Sequence, residues 1–392
     1  MSKTALILLV DWIQKLPHPC ISLKWMINKN LCWRKNKGGK MMEKKLLLKD
    51  QLSEFYNILE ETYNFYGPIE EKGNIIFRKI KNPEDMVLDY SNSKIPPKNV
   101  VFPQNEILFE YKMNDDKIEI EEPKDIEEKK VIFGIRPCDA NSFYLMKSFF
   151  KFGEYEDTIF LRKRENTILI GIGCNNPRQT CFCTSVGGHP FNKEDMDIFL
   201  VDLGDKYSVE SISEKGKTLL EKFSWLIDAR PSDIEMANEL KVKAENIIST
   251  KLDIEITIKI LKNNFNHPIW NEISENCIGC GSCAYLCPTC HCFDVIDEED
   301  HYNNSGKRIR IWDTCQFKLY TLETSGHNPR PSKVERCRNR ILHKFSYYPS
   351  NYGLIGCVGC GRCVNWCPVN NDLRVILNKI CEIERKEESI IA

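Results

Sequence analysis

No apolar run in the sequence is long enough to span a bilayer. "TALILLV" (Thr4 to Val10) is closed by Asp11 and lacks a small-residue cleavage site, so neither a membrane anchor nor a secretory signal is expected. Charge of one sign is also lacking: 55 basic residues face 56 acidic ones. That balance, with no stacking-aromatic pattern in the basic stretches, argues against a nucleic-acid partner. There is no G-x-G-x-x-G after an apolar strand and no P-loop, which removes the usual phosphate cradles for a nicotinamide cofactor or a nucleoside triphosphate. Ser–His–Asp and zinc-hydrolase signatures are absent too, and no residue is assigned a catalytic role.

Cysteine, by contrast, is abundant. There are 19, an odd number, most of them in the last third of the 392 residues. Without a secretory signal, a reducing cytoplasm and metal ligation are the expectation rather than disulfides.

The chain is long enough for at least two domains. Residues 1–41 carry Trp12, Trp25 and Trp33 without a clear period and end in "GGKMM"; they are expected to be a disordered or mis-called extension, with Met42 as the true start. Residues 42–209 read as an α/β domain. Apolar residues at three- and four-residue steps from Leu46 to Tyr66 indicate a helix. "NVVFPQNEILFEY" resembles an edge strand interrupted by Pro103. "KKVIFGI" and "NTILIGIGC", with the helical "DANSFYLMKSFF" between them, suggest a βαβ unit with buried parallel strands, to which "DIFLVDLG" adds another. Residues 210–267 read as a helical bridge broken at "DARPSD", and residues 268–392 as a cysteine-rich domain. The fold class is α+β: a small, largely parallel sheet followed by a mostly helical module, with "DTCQFKLYTLE" and "ERCRNRILHKF" among its helices.

The cysteine-rich domain contains a repeat. Cys277, Cys280, Cys283 and Cys287 follow C-x-x-C-x-x-C-x-x-x-C-P, and Cys357, Cys360, Cys363 and Cys367 repeat it, each run closed by proline. This is the bacterial ferredoxin pattern for [4Fe–4S] clusters, in which the fourth thiolate serves the other cluster. Two-residue gaps let a tight loop offer three thiolates to three corners of one cube, while the fourth is carried away. One cluster is therefore assigned to Cys277, Cys280, Cys283 and Cys367, and the second to Cys357, Cys360, Cys363 and Cys287. Gly279, Gly281, Gly359 and Gly361 leave room for backbone to wrap the sulfurs. Structural zinc is the competing reading of repeated C-x-x-C, but zinc needs four ligands and gains nothing from two identical quartets.

Of the remaining cysteines, Cys138, Cys174, Cys181 and Cys183 follow expected strands. Loops at the carboxyl ends of parallel strands meet on one sheet edge, so these four are candidates for a third cluster; buried thiols in tight turns are the alternative. Cys290, Cys292, Cys315 and Cys337 suit packing around the clusters at least as well as ligation. Cys381 reads as a single buried thiol, and His291, His327 and His343 as satisfied polar groups rather than ligands. Between Lys307 and Lys344 there are ten Lys or Arg against three Asp or Glu. Such cations would favour reduction of an anionic cube, dock an acidic redox partner, draw in an anionic sulfur compound, or simply form a solvated helix face.

"FGIRPCDAN", "GCNNPRQTCFCTS", "CPTCHCFDV", "RIWDTCQF", "SGHNPRPS", "ILHKF" and "CVGCGRCVNWCP" together resemble the iron–sulfur (beta) subunit of soluble sulfhydrogenases and the related A subunit of anaerobic sulfite reductases. The likeness runs from about Met42 onward, and "PPKNVVFPQNEILFEY" and "FGIRPCD" are closer to the sulfhydrogenase branch. It implies a [4Fe–4S] electron carrier between a flavin- and NAD(P)H-binding subunit and a separate catalytic subunit, a hydrogenase or a sulfite or sulfur reductase. The rival reading is a catalytic sulfite or polysulfide reductase chain. The only plausible sirohaem-type spacings, Cys277 to Cys283 and Cys363 to Cys367, already belong to the quartets.

Overall fold

The runs "KVIFGI" and "TILIGI" become adjacent parallel strands in which every residue is buried. In the computed structural model, which describes residues 44–114 and 117–391, they are β6 (Lys130–Ile135) and β7 (Thr167–Ile172). The extension expected at 1–41, with Cys20 and Cys32, lies outside the described residues. The other strands are β1 (Lys45–Leu48), β2 (Asn64–Glu71), β3 (Asn74–Lys79), β4 (Asn105–Asn114), β5 (Lys117–Glu121), β8 (Ile198–Asp202), β9 (Lys206–Ser211), β10 (Ile227–Asp228), β11 (Phe293–Asp300) and β12 (Ser305–Trp312).

Eight of them form one sheet in the order β10-β1-β9-β8-β7-β6-β2-β3. Its four central strands, β8, β7, β6 and β2, are mutually parallel, as the continuous apolar runs require. The margins are antiparallel, so the sheet is wider than the βαβ reading alone.

Both faces of this sheet are covered. Val131, Phe133, Ile168 and Ile170 pack with Phe55, Leu59 and Leu219, from helices α1 (Leu52–Glu60) and α4 (Glu214–Leu220). Ile132, Ile135 and Leu169 point the other way, against Phe143, Met146, Phe150 and Phe160 of α2 (Pro137–Phe150) and α3 (Thr158–Glu165). The helix expected from Leu46 to Tyr66 is shorter than its pattern. Leu46 to Leu48 pair with β9 instead, because a half-buried run beside an open sheet edge gains more from cross-strand packing than from continuing a helix.

The bridge is helical in α5 (Pro231–Ile247) and α6 (Ile254–Asn263), separated from β9 by α4 and β10. Beyond it come α7 (Ile269–Ser274), α8 (Ser282–Tyr285), α9 (Lys333–Leu342), a π-helical turn (His343–Tyr347), α10 (Tyr348–Tyr352), α11 (Arg362–Asn365) and α12 (Leu373–Ile391). Ser332 caps α9: its Oγ accepts from the Val334 N–H at 3.2 Å, and Glu335 accepts from the Ser332 N–H at 2.7 Å.

The expected helix "DTCQFKLYTLE" is instead a series of turns, and the residues just before it are β12. Ile309 and Trp312 are buried from that strand, and Thr314, Cys315 and Gln316 are buried after it. A run tied down at so many polar points cannot follow a helical repeat.

β11 and β12 pair with each other, and β12 pairs with β4, giving a second, antiparallel sheet in the order β11-β12-β4-β5. Two of its strands come from the first third of the chain and two from between the quartets. Pro103 precedes β4 rather than interrupting it. A buried ion network fastens this sheet to α3. Glu106 accepts from Lys163 Nζ at 2.9 Å and from Arg310, which also reaches Asp157; Lys163 also reaches Asp125 at 2.6 Å. The described residues form one compact unit. Among the described residues no helix is long and apolar enough to cross a membrane.

Candidate iron–sulfur centres

Each quartet bends at two glycines of left-handed conformation and then starts a single helical turn, α8 after Gly281 and α11 after Gly361. At Gly359 and Gly361 the requirement is twofold. Their φ angles are +63° and +74°, and a Cβ would stand 2.5 Å from the Cys183 backbone and 2.6 Å from the Thr180 carbonyl. The second quartet therefore lies directly on the loop that carries Cys181 and Cys183, and the Phe182 N–H donates to the Gly359 carbonyl at 2.8 Å.

Two cavities open beside these loops. One is lined by Cys277, Cys280, Cys283 and Cys367, and also by Cys363 and Cys337. The other is lined by Cys357, Cys360, Cys363 and Cys287. Each holds three cysteines of one quartet and the last cysteine of the other, and Cys363 lines both. Among the described residues no three His, Cys, Asp or Glu side chains form a group that could hold a single metal ion. Four thiolates on one zinc come within about 4 Å of each other, whereas on a cube each takes its own corner. Each cavity is lined by at least four cysteine thiols, the donor type and number that a cube takes.

Hydrogen-bond donors already face the sulfurs. The Gly359 N–H donates to Cys357 Sγ at 3.4 Å and the Asn371 N–H to Cys367 Sγ at 3.2 Å. Lys344 Nζ donates to Cys287 Sγ at 3.4 Å. The Cys277 thiol is brought down to about 6, chiefly by its hydrogen bond with Cys337, and Cys287 falls well below the ordinary thiol range through Cys290, with Lys344 adding to it. Burial works the other way at Cys357 and Cys360, pushed up to about 12 and about 11.

The second loop is anchored by a wholly buried ion pair. Arg362 donates to both carboxylate oxygens of Asp139, at 2.6 and 2.8 Å, and to the Ser93 carbonyl and hydroxyl. Asp139 sits in the first turn of α2, directly after the carboxyl end of β6. The parallel sheet thus positions the second quartet. Arg136, between them, donates to the Gly173 and Leu88 carbonyls and holds the neighbouring loops at the same edge.

Cys138, Cys174, Cys181 and Cys183 gather at this edge. Cys181 donates to the Cys360 carbonyl at 3.7 Å and Cys174 to the Ser91 carbonyl at 3.9 Å, while Cys138 packs near Cys360. Burial raises all four thiols, Cys181 to about 12. Cys337 and Cys277 both lie against Gln316 Oε1, at 3.7 and 4.0 Å. Cys292 is hydrogen-bonded to Cys315 and Tyr320, and Cys290 to Cys287. Cys381 is buried beside Thr257, 3.2 Å from its hydroxyl. His291 stacks on Phe149 at 3.7 Å, and burial holds it well below its ordinary pKa, as it holds His343 at about 4. The His327 N–H donates to Ser325 Oγ in an exposed turn.

A family model described as a 4Fe-4S dicluster domain matches residues 276–371, which contain both quartets. The chain is thus a [4Fe–4S] protein, an iron–sulfur subunit of an oxidoreductase. More particularly, it is 31% identical to sulfhydrogenase 2 subunit beta of Pyrococcus furiosus over 330 residues, 84% of this chain and 96% of that one, and it belongs to the family of sulfhydrogenase beta subunits. It is also 24% identical over 176 residues to F420-dependent formate dehydrogenase subunit beta of Methanocaldococcus jannaschii, covering 44% of this chain and 38% of that one. No solved structure matches.

Proposed function

We propose that the chain is the electron-transfer subunit of a cytoplasmic multi-subunit oxidoreductase. It carries two [4Fe–4S] clusters, one on Cys277, Cys280, Cys283 and Cys367, the other on Cys357, Cys360, Cys363 and Cys287. Single electrons pass through them between a flavin- and NAD(P)H-binding subunit and a catalytic hydrogenase or sulfite or sulfur reductase subunit. The observation that supports the reading is that Cys367 lines the cavity of Cys277, Cys280 and Cys283, while Cys287 lines that of Cys357, Cys360 and Cys363. The names of the relatives, both subunits of oxidoreductases, support its place in a complex.

The test is an anaerobic count of iron and acid-labile sulfide on the full chain, with electron paramagnetic resonance of the reduced sample. About eight irons per chain are expected. C287S should lose the centre of Cys357, Cys360 and Cys363 and keep the one beside it in sequence; the opposite loss would overturn the exchange. About twelve irons would add a third cluster, for which Cys138, Cys174, Cys181 and Cys183 are the leading ligands.

A further inference from the structure

We infer that one face of α9 and the π turn after it forms a fixed cationic spine that sets the potentials of the two centres. Arg340 acts on both, and Lys344 acts on the centre of Cys287, Cys357, Cys360 and Cys363 alone. The inference rests on the two-cluster reading.

In "CRNRILHK" the spacing from Cys337 to Arg340 to Lys344 is i, i+3, i+7, which puts the three on one helical face. The structure lays that face along both cavities. Cys337 lines the first, Arg340 lines both, and Lys344 lines the second. The π turn begins at His343, so Lys344 leaves the regular helix there.

The ten basic residues counted between Lys307 and Lys344 are therefore not equivalent. Arg308 pairs with Asp297 on the surface, Arg338 stacks on Phe265 at 3.8 Å, and Lys333 reaches the Glu275 carbonyl. Arg340 and Lys344 are both more than nine-tenths buried, at 8% and 4% exposure, and their hydrogen bonds among the described residues go to carbonyls, a hydroxyl and a sulfur rather than to a carboxylate. Arg340 Nη2 donates to the Cys283 carbonyl at 3.0 Å, but its Nε is buried with no partner. A donor orphaned between two cysteine-lined cavities requires an acceptor, and a cluster or thiolate sulfur supplies one. Lys344 is fully used: Cys287 Sγ at 3.4 Å, and Thr289 Oγ1 and the Gly356 carbonyl at 2.9 Å each.

A cube held by four thiolates is anionic and gains another negative charge on reduction. A buried cation beside it stabilises the reduced form more than the oxidised one and raises the potential. Arg340, lining both cavities, raises both potentials together.

The test is a redox titration of the full, cluster-loaded chain followed by electron paramagnetic resonance, with the signals assigned by C367S, which removes one centre. R340Q should lower the ratio of reduced to oxidised cluster at fixed ambient potential about tenfold or more at both centres, about 59 mV for a one-electron couple. R340K should restore most of it, and K344Q should move only the centre that survives in C367S. Unchanged potentials in R340Q and K344Q at full iron content would overturn this inference alone, as would a K344Q shift confined to the other centre. A wild-type chain without iron would overturn the two-cluster reading beneath it. Should R340Q lose its iron, the contrast between R340K and K344Q decides.

Discussion

Asp139 shows how far a single carboxylate reaches in this chain. "FGIRPCDAN" offers Cys138 as a candidate ligand, yet the next residue ties the parallel sheet to the second quartet through Arg362. Both side chains are fully buried, so the pair contributes only while both members are present. D139N leaves a buried guanidinium with no counter-charge, and about 3–5 kcal/mol of stability should go with it. The loss should be local at first: iron at the centre of Cys357, Cys360 and Cys363 should fall in a titration with a chelator before iron at the other. Equal loss from both centres would mean that the pair serves the fold as a whole. Nothing in the sequence pairs residue 139 with residue 362; the pairing exists only because the carboxyl edge of β6 and the turn before α11 meet.

At the scale of elements, legibility followed the kind of signal each segment carries. β6, β7 and β8 were readable because continuous apolar runs leave a buried parallel strand few alternatives. The quartets were readable because cluster ligation imposes a spacing that is local in sequence. β12 was not, since its arginines look like a solvated face until Arg310 is seen to meet Glu106 across the sheet. Arg340 and Lys344 lay in the open as an i, i+4 pair, but their burial depends on which way α9 turns. The joint between β4, β12 and α3 can be tested directly. Glu106 alone stands between two buried cations, so E106Q should destabilise the chain toward the lower end of about 3–5 kcal/mol, because Asp125 and Asp157 still face Lys163 and Arg310. A fall in the denaturation midpoint with an unchanged denaturant slope is the expected signature. A changed slope would mean that the second sheet unfolds separately.

For the molecule as a whole, the second sheet matters most, because β4 and β5 precede the whole of β6 to β10 in sequence while β11 and β12 follow them. The first third of the chain is thereby built into the support of the cysteine-rich part. Asp139, the loop of Cys181 and Cys183, and Lys98, whose ammonium meets the Cys290 carbonyl, all reach the quartets from outside them. What this architecture provides is two cysteine-lined cavities in a common frame, and the sequence carries no G-x-G-x-x-G cradle to receive hydride. On the proposed function, an electron pair arriving on a nicotinamide is split in a partner subunit before it enters. The isolated, cluster-loaded chain should accordingly bleach with a strong one-electron reductant, yet show no oxidation of NADH or NADPH coupled to sulfite or polysulfide above the rate without protein. Adding a flavin-containing partner subunit should switch on nicotinamide-dependent reduction of both centres. Sustained turnover by the chain alone would place the chemistry within it and leave the catalytic-reductase reading standing in place of the relay.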